Sequence, residues 1–156
     1  MMQIHRAWHE AYLNKPWAAV PRPPETFNCG ELVRAVHRDL LGIDSPTIPV
    51  PDAANRRACI NAMRPERYGL VRLHAGESPR ELDVAFIVRH RLRDHVGIAV
   101  ATADGLMILH CPQVYGVVLS APVDMAGVLQ KIEWYRHPDI DAALSVRGIT
   151  LGEPYA

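Results

Sequence analysis

The stretch His95-Val96-Gly97-Ile98-Ala99-Val100-Ala101, then Thr102-Ala103-Asp104-Gly105, then Leu106-Met107-Ile108-Leu109-His110-Cys111, decides how this chain folds. Period-two alternation puts His95, Gly97, Ala99 and Ala101 on one face of a strand and Val96, Ile98 and Val100 on the other. The bulky face belongs to a core. The small face lets a helix approach closely, with His95 at one end. The second apolar run is a partner strand, and the turn residues between the two make an antiparallel hairpin. A two-residue turn at Asp104-Gly105 sets His110 opposite Ala99, about 13 Å along the strand from His95. A four-residue loop over Thr102–Gly105 instead pairs Ala101 with Leu106 and sets His110 opposite Gly97. The two imidazoles are then diagonal neighbours on one face, and the glycine leaves room for the rings. We expect the four-residue loop, a less common but well-attested closure.

The same short, Val-, Ile- and Leu-rich texture marks residues 70–73, 83–89, 116–120 and 131–136 as further strands of a mostly antiparallel sheet. Ahead of them the period is helical. Ile4, Trp8 and Tyr12 form an i, i+4, i+8 stripe, which reads as a short amphipathic helix ending before Pro16. The best-marked helix opens at Asn28, a good N-cap, with Glu31 three residues on as in a capping box. Cys29, Leu32, Val33, Val36 and Leu40 share its inward face, Arg34 and Arg38 lie away from it, and Gly42 ends it. A third helix is expected over residues 52–63, before Pro65. Helices first and strands after indicate an α+β fold. At 156 residues, with no dividing linker, the chain reads as a single domain over residues 1–156.

Composition excludes more than it assigns. With 17 basic residues against 17 acidic ones, no nucleic-acid partner held by bulk charge is expected. No apolar run approaches the roughly 18 residues of a membrane span. The start, Met1-Met2-Gln3-Ile4-His5-Arg6, has no signal-peptide pattern, so synthesis in the cytoplasm is expected. Cys29, Cys59 and Cys111 lack C-x-x-C spacing, which argues against a zinc knuckle or a redox pair, and no cofactor is expected. His5 and His9 have HxxxH spacing on a surface-like helix without a carboxylate neighbour. His37, His74, His90 and His137 are expected to face solvent. Cys59 and Cys111 read as core, Cys111 because it points to the sheet face opposite His110. Arg89, Arg91 and Arg93 read as a solvated turn.

Cys29 stands apart. The plain reading is a buried core thiol. Its place in the first turn of a helix adds another, because unpaired backbone N–H groups and the helix dipole favour negative charge there. Thiolate is the nucleophilic form, and such positions lower a thiol's pKa. On the inward face, Cys29 points at the sheet that carries the histidines. The order is then Cys29 as nucleophile, His95 as base and His110 as the group that orients the base.

Phe27-Asn28-Cys29-Gly30-Glu31-Leu32-Val33 resembles the phenylalanine–aspartate–cysteine–x–glycine–leucine–valine opening of the NlpC-type cell-wall cysteine peptidases. His95-Val96-Gly97-Ile98 resembles their second motif. Ile108-Leu109-His110, with Gly116-Val117-Val118 after it, resembles their third strand and the segment next to it. Trp8 through Tyr12 to Pro16-Trp17, and the late Trp134-Tyr135-Arg136, are similar to the phage-tail-associated branch; the match runs in order over roughly residues 6–136. The resemblance implies a papain-like NlpC-type fold with N-terminal helices packed on the sheet, and a Cys-His-His site of Cys29, His95 and His110. It also implies cleavage of D-γ-glutamyl–diaminopimelate amide bonds in peptidoglycan stem peptides. The implied setting is a phage tail tip or prophage, with other tail-tip proteins as partners and the virion tail as destination.

Three positions depart from the family's pattern. Asn28 stands where the family usually has Asp, and Gly30-Glu31 replaces a small or aromatic residue followed by Gly. Trp17 stands about where a tyrosine helps frame the oxyanion site, and an indole N–H donates but cannot accept. Trp17 and Asn28 are therefore the candidate substrate and oxyanion residues, in altered form. The departures leave the triad intact and set a second expectation beside the first: a structural tail-tip subunit that keeps the peptidase fold without turnover. Asn28-Cys29 also resembles the Asn-Cys motif of a permuted lipid-acyltransferase branch. There the histidine precedes the cysteine; here His95 follows Cys29.

Overall fold

The computed structural model of the chain describes residues 2–4, 7–48, 63–127 and 130–152. In chain order its elements are β1 (Met2–Gln3), α1 (Cys29–Leu41), β2 (Val71–Arg72), β3 (Val84–Arg89), β4 (Leu92–Thr102), β5 (Gly105–His110), β6 (Val118–Ser120), α2 (Pro122–Met125), β7 (Gln130–Arg136), α3 (Ile140–Arg147) and β8 (Ile149–Thr150). Single 3-10 turns lie at Trp8–Ala11 and Pro65–Tyr68. The helix expected over residues 52–63 lies outside the described residues, as does Cys59, except for Met63, which is buried.

α1 forms where its caps and its apolar stripe agree. Asn28 is extended and its side-chain oxygen accepts from the Glu31 N–H at 2.8 Å, a contact of about 1 kcal/mol. The Glu31 carboxylate turns to Arg34, 3.5 Å away, so half of the reciprocal box is made. Gly42 closes the helix at φ 68°, the left-handed conformation that glycine adopts without strain. The N-terminal stripe is real but shorter as a helix. Ile4, Trp8 and Tyr12 are all buried, while the backbone between them makes 3-10 bonds, Glu10 N–H to Ala7 and Tyr12 N–H to His9. Side-chain anchors hold it: the Trp8 indole donates to Glu81 at 3.3 Å and the Tyr12 hydroxyl to Asp39 at 2.7 Å.

The six-stranded sheet runs β2-β7-β3-β4-β5-β6 with every neighbouring pair antiparallel. It contains all six segments expected as strands. A separate two-stranded parallel pair, β1 with β8, brings the two ends of the described chain together. The hairpin register is the expected one: Gly97 faces His110 and Ala101 faces Leu106. The closure is one step tighter than expected, because Thr102 also pairs with Gly105 and leaves Ala103-Asp104 as the loop. The Thr102 hydroxyl secures it, donating to the Gly105 carbonyl at 2.8 Å and accepting from the Asp104 N–H at 3.1 Å.

α1 sits on the face of the sheet opposite to the one expected. Leu32, Val33 and Val36 share a core with Val84, Phe86, Val96, Ile98 and Val100, the bulky face. The small face carries Ala85, Ile87 and Ile108 and is covered by Met125 from α2. Thirteen helical residues need a broad apolar bed, and the β-branched face supplies it. What the small residues serve is the histidine pair. A Cβ added at Gly97 would lie 2.5 Å from Ile108 Cγ2 and 3.1 Å from His110 Cβ, so a side chain there would displace the strand that holds His110.

Two of the outlying histidines also depart from expectation. His37 is 2% exposed and its Nε2–H donates to the Leu82 carbonyl at 3.0 Å. His137, from the loop before α3, meets it edge-on with the ring centres 6.0 Å apart. Contacts between α1 and α3 close over a helix face that would otherwise meet water. His74 and His90 are exposed, as expected. Of the three arginines read as a solvated turn, Arg89 and Arg91 are exposed. Arg93 is not, and reaches across to Glu133 at 2.8 Å and the Tyr135 hydroxyl at 3.3 Å.

Candidate active site

The site is built where β4 outruns β5. Pairing between these strands stops at Gly97–His110, so Leu92–Val96 extend past the end of β5 with one edge open. The N-terminus of α1 lies at that edge. The Val96 N–H donates to the Cys29 thiol, and the N–H groups of Gly30 and of Cys29 itself are also directed at the sulfur. Cys29 belongs to the core on one face of the sheet and the two histidines to the other face, and the open edge lets both reach one cavity. That cavity holds about 450 Å³ and is lined by Trp17, Cys29, His95, His110 and Ser120 among others. Trp17 is brought there by a short bridge to Phe27, with the Ala18 N–H donating to the Phe27 carbonyl at 2.9 Å.

The histidines form a relay. Nε2 of His95 is 2.8 Å from Nδ1 of His110, and Nε2 of His110 is 2.8 Å from the Ser120 hydroxyl. One partner donates and one accepts at each step, and the tautomers fix which. Burial lowers His95 to about 3, with His110 and Arg89 adding to the shift, and burial lowers His110 to about 4. Both rings are therefore neutral at pH 7, the form in which an imidazole accepts a proton.

The thiol differs from expectation. Cys29 is 1% exposed, and burial pushes its pKa up to about 12, with neighbouring Cys111 acting in the same direction. The three N–H groups oppose this and are outweighed. The helix terminus is present, but the cost of burying an unpaired charge exceeds what three weak N–H···S contacts return. Among the described residues no hydrogen bond joins Cys29 to His95. The cavity thus holds a neutral thiol and two neutral imidazoles.

Of the residues singled out in the sequence, Trp17, Cys29, His95 and His110 line one cavity. Asn28 does not; its side chain caps α1 instead. Cys111 is buried as expected and its thiol donates to the Phe27 carbonyl at 3.5 Å, yet it also lines the cavity, because the chain has left β5 by that point. Sequence reasoning missed Ser120. The pairing of His110 with Val118 places it one step diagonal to His110 on the same face, and only that register reveals it. Arg89 and Asp94, 3.9 Å apart, also line the cavity. Among the described residues no group of three or more His, Cys, Asp or Glu side chains is arranged to hold a metal ion, and no helix is long and apolar enough to cross a membrane. Compared with protein-family models and with curated proteins, the chain matches none.

Proposed function

We propose that the protein is a thiol-dependent amide hydrolase of papain-like, NlpC-type fold. Its substrates are the D-γ-glutamyl–diaminopimelate bonds of peptidoglycan stem peptides, and its setting is a phage tail tip or a prophage. The observation that carries the chemistry is one cavity lined by a cysteine at a helix N-terminus and by a histidine whose ring is tied at 2.8 Å to a second histidine. The choice of substrate and setting rests on the resemblance of the Cys29 and His95-Val96-Gly97 motifs.

With substrate bound, His95 takes the Cys29 thiol proton as sulfur bonds to the amide carbon and the carbonyl π pair moves to oxygen. Backbone N–H groups at the start of α1 and the Trp17 indole N–H are the available donors for that oxyanion. Collapse expels the amine, which leaves with the proton from His95. Water, deprotonated by His95, then cleaves the thioester, releases the acid and restores the thiol. Because the resting pair is neutral, proton transfer accompanies attack; no preformed ion pair is needed.

A second reading, a structural tail-tip subunit with the peptidase fold and little turnover, is favoured by the 1% exposure of Cys29 and by tryptophan at position 17. Digestion of purified peptidoglycan separates the two. The hydrolase, tested with its tail partners present, releases fragments with a new free amine on diaminopimelate, read by mass spectrometry. If peptidoglycan stays intact while particles assemble normally, the structural reading holds.

A further inference from the structure

We propose that Ser120 is a positioning residue that sets the proton arrangement of the His95–His110 pair by accepting a hydrogen bond from Nε2–H of His110. The inference deepens the proposed thiol mechanism and rests on it.

The atoms that face one another decide the direction. His95 presents Nε2 to Nδ1 of His110, and His110 presents Nε2 to the Ser120 hydroxyl, both at 2.8 Å. With two neutral rings, two concerted arrangements satisfy these contacts. In the first, each ring carries its proton on Nε2: His95 donates to His110, and His110 donates to Ser120. His95 Nδ1 then has a free lone pair, the only one left on that ring to receive the thiol proton. In the second, Ser120 donates to His110, both rings carry their proton on Nδ1, and His95 has no free base. Neutral histidine intrinsically prefers the Nε2–H form, so the first arrangement puts both rings in their favoured tautomer. It needs an acceptor at its end. His110 is 8% exposed and cannot rely on bulk water there, and Ser120, held on β6 two residues beyond the partner of His110, supplies the oxygen.

Serine also suits the role chemically. A hydroxyl accepts without adding charge, so the rings stay neutral and ready. A carboxylate in its place would favour a charged His110, whose Nδ1–H would then donate to Nε2 of His95 and leave the His95 proton on Nδ1, where the thiol proton has to go.

The test is 15N NMR of the histidine rings at pH 7 in wild type, Ser120→Ala and Ser120→Thr, alongside turnover of peptidoglycan. Wild type is expected to show protonated Nε2 and bare Nδ1 on both His95 and His110. Ser120→Ala is expected to mix in the reversed tautomers on both rings and to lower kcat about tenfold with KM unchanged. Ser120→Thr keeps the hydroxyl and should restore both readings. Reversed tautomers in wild type, or unchanged ring signals in Ser120→Ala, overturn the proposal, as does a tautomer change that leaves kcat at the wild-type value. If the wild type cuts no peptidoglycan, the proposed function fails, while the ring signals alone still decide whether Ser120 sets the tautomers.

Discussion

Cys29→Ala is expected to remove fragment release from peptidoglycan, by about 10⁴-fold or more, while the protein stays folded. Alanine has no atom that can bond to the amide carbon, so neither half-reaction can start. The fold tolerates the change because only one sulfur is lost from a helix terminus; the small cavity and the Val96 N–H left without a partner together cost about 1–2 kcal/mol. That corresponds to a melting shift of a few degrees for a domain of this size. His95→Ala should lose roughly 10²–10⁴-fold, the range for a general base. His110→Ala should lose less, since it orients the base without touching the reacting atoms. Equal losses for His110→Ala and Cys29→Ala would show that His110 does more than orient the base.

Acid should unfold the protein early. In the folded state burial holds His37 near 4, against about 6.5 in an unfolded chain. A folded value below the unfolded one means that the unfolded chain takes up the proton first. The stabilisation is whole above pH 6.5, fades as pH falls, and is gone below about 4. For His37 alone it is on the order of 3 kcal/mol, a large part of the roughly 5–15 kcal/mol that holds a domain together. His95 and His110 act in the same direction. Denaturant midpoints at pH 7 and pH 4.5 isolate the His37 contribution if His37→Gln is compared with wild type. Glutamine keeps an N–H for the Leu82 carbonyl but cannot charge. The variant should lose about 2 kcal/mol less on acidification than wild type; an equal loss would show that His37 has no part in the acid sensitivity.

Much of this arrangement could be read from local chemistry. α1 was legible because cap, stripe and stop residues coincide at Asn28, Leu32–Val36 and Gly42. The histidine pairing was legible because only one hairpin register puts Gly97, the residue with no side chain, opposite His110. Features that depend on distant contacts were not. Both faces of β4 are buried, so alternation could not say which one α1 would take. His37 reads as polar until α3 covers it. α3 itself leaves little trace, with Ile140 and Leu144 as its buried residues and Val146 pointing to solvent. The thiol's rise was hidden for the same reason: position in the helix is local, while burial at 1% exposure comes from the whole fold.

If Cys29 attacks the substrate and carries its acyl group, the covalent adduct can be caught. The direct experiment is intact-mass spectrometry of the wild-type protein, acid-quenched within milliseconds to seconds of mixing with a γ-D-glutamyl–diaminopimelate peptide, followed by peptide mapping. A transient acyl adduct is expected on the peptide containing Cys29, absent in Cys29→Ala and chased away by continued turnover. An acyl group on Cys111 or Ser120, or fragment release at the wild-type rate from Cys29→Ala, would contradict the role given to Cys29.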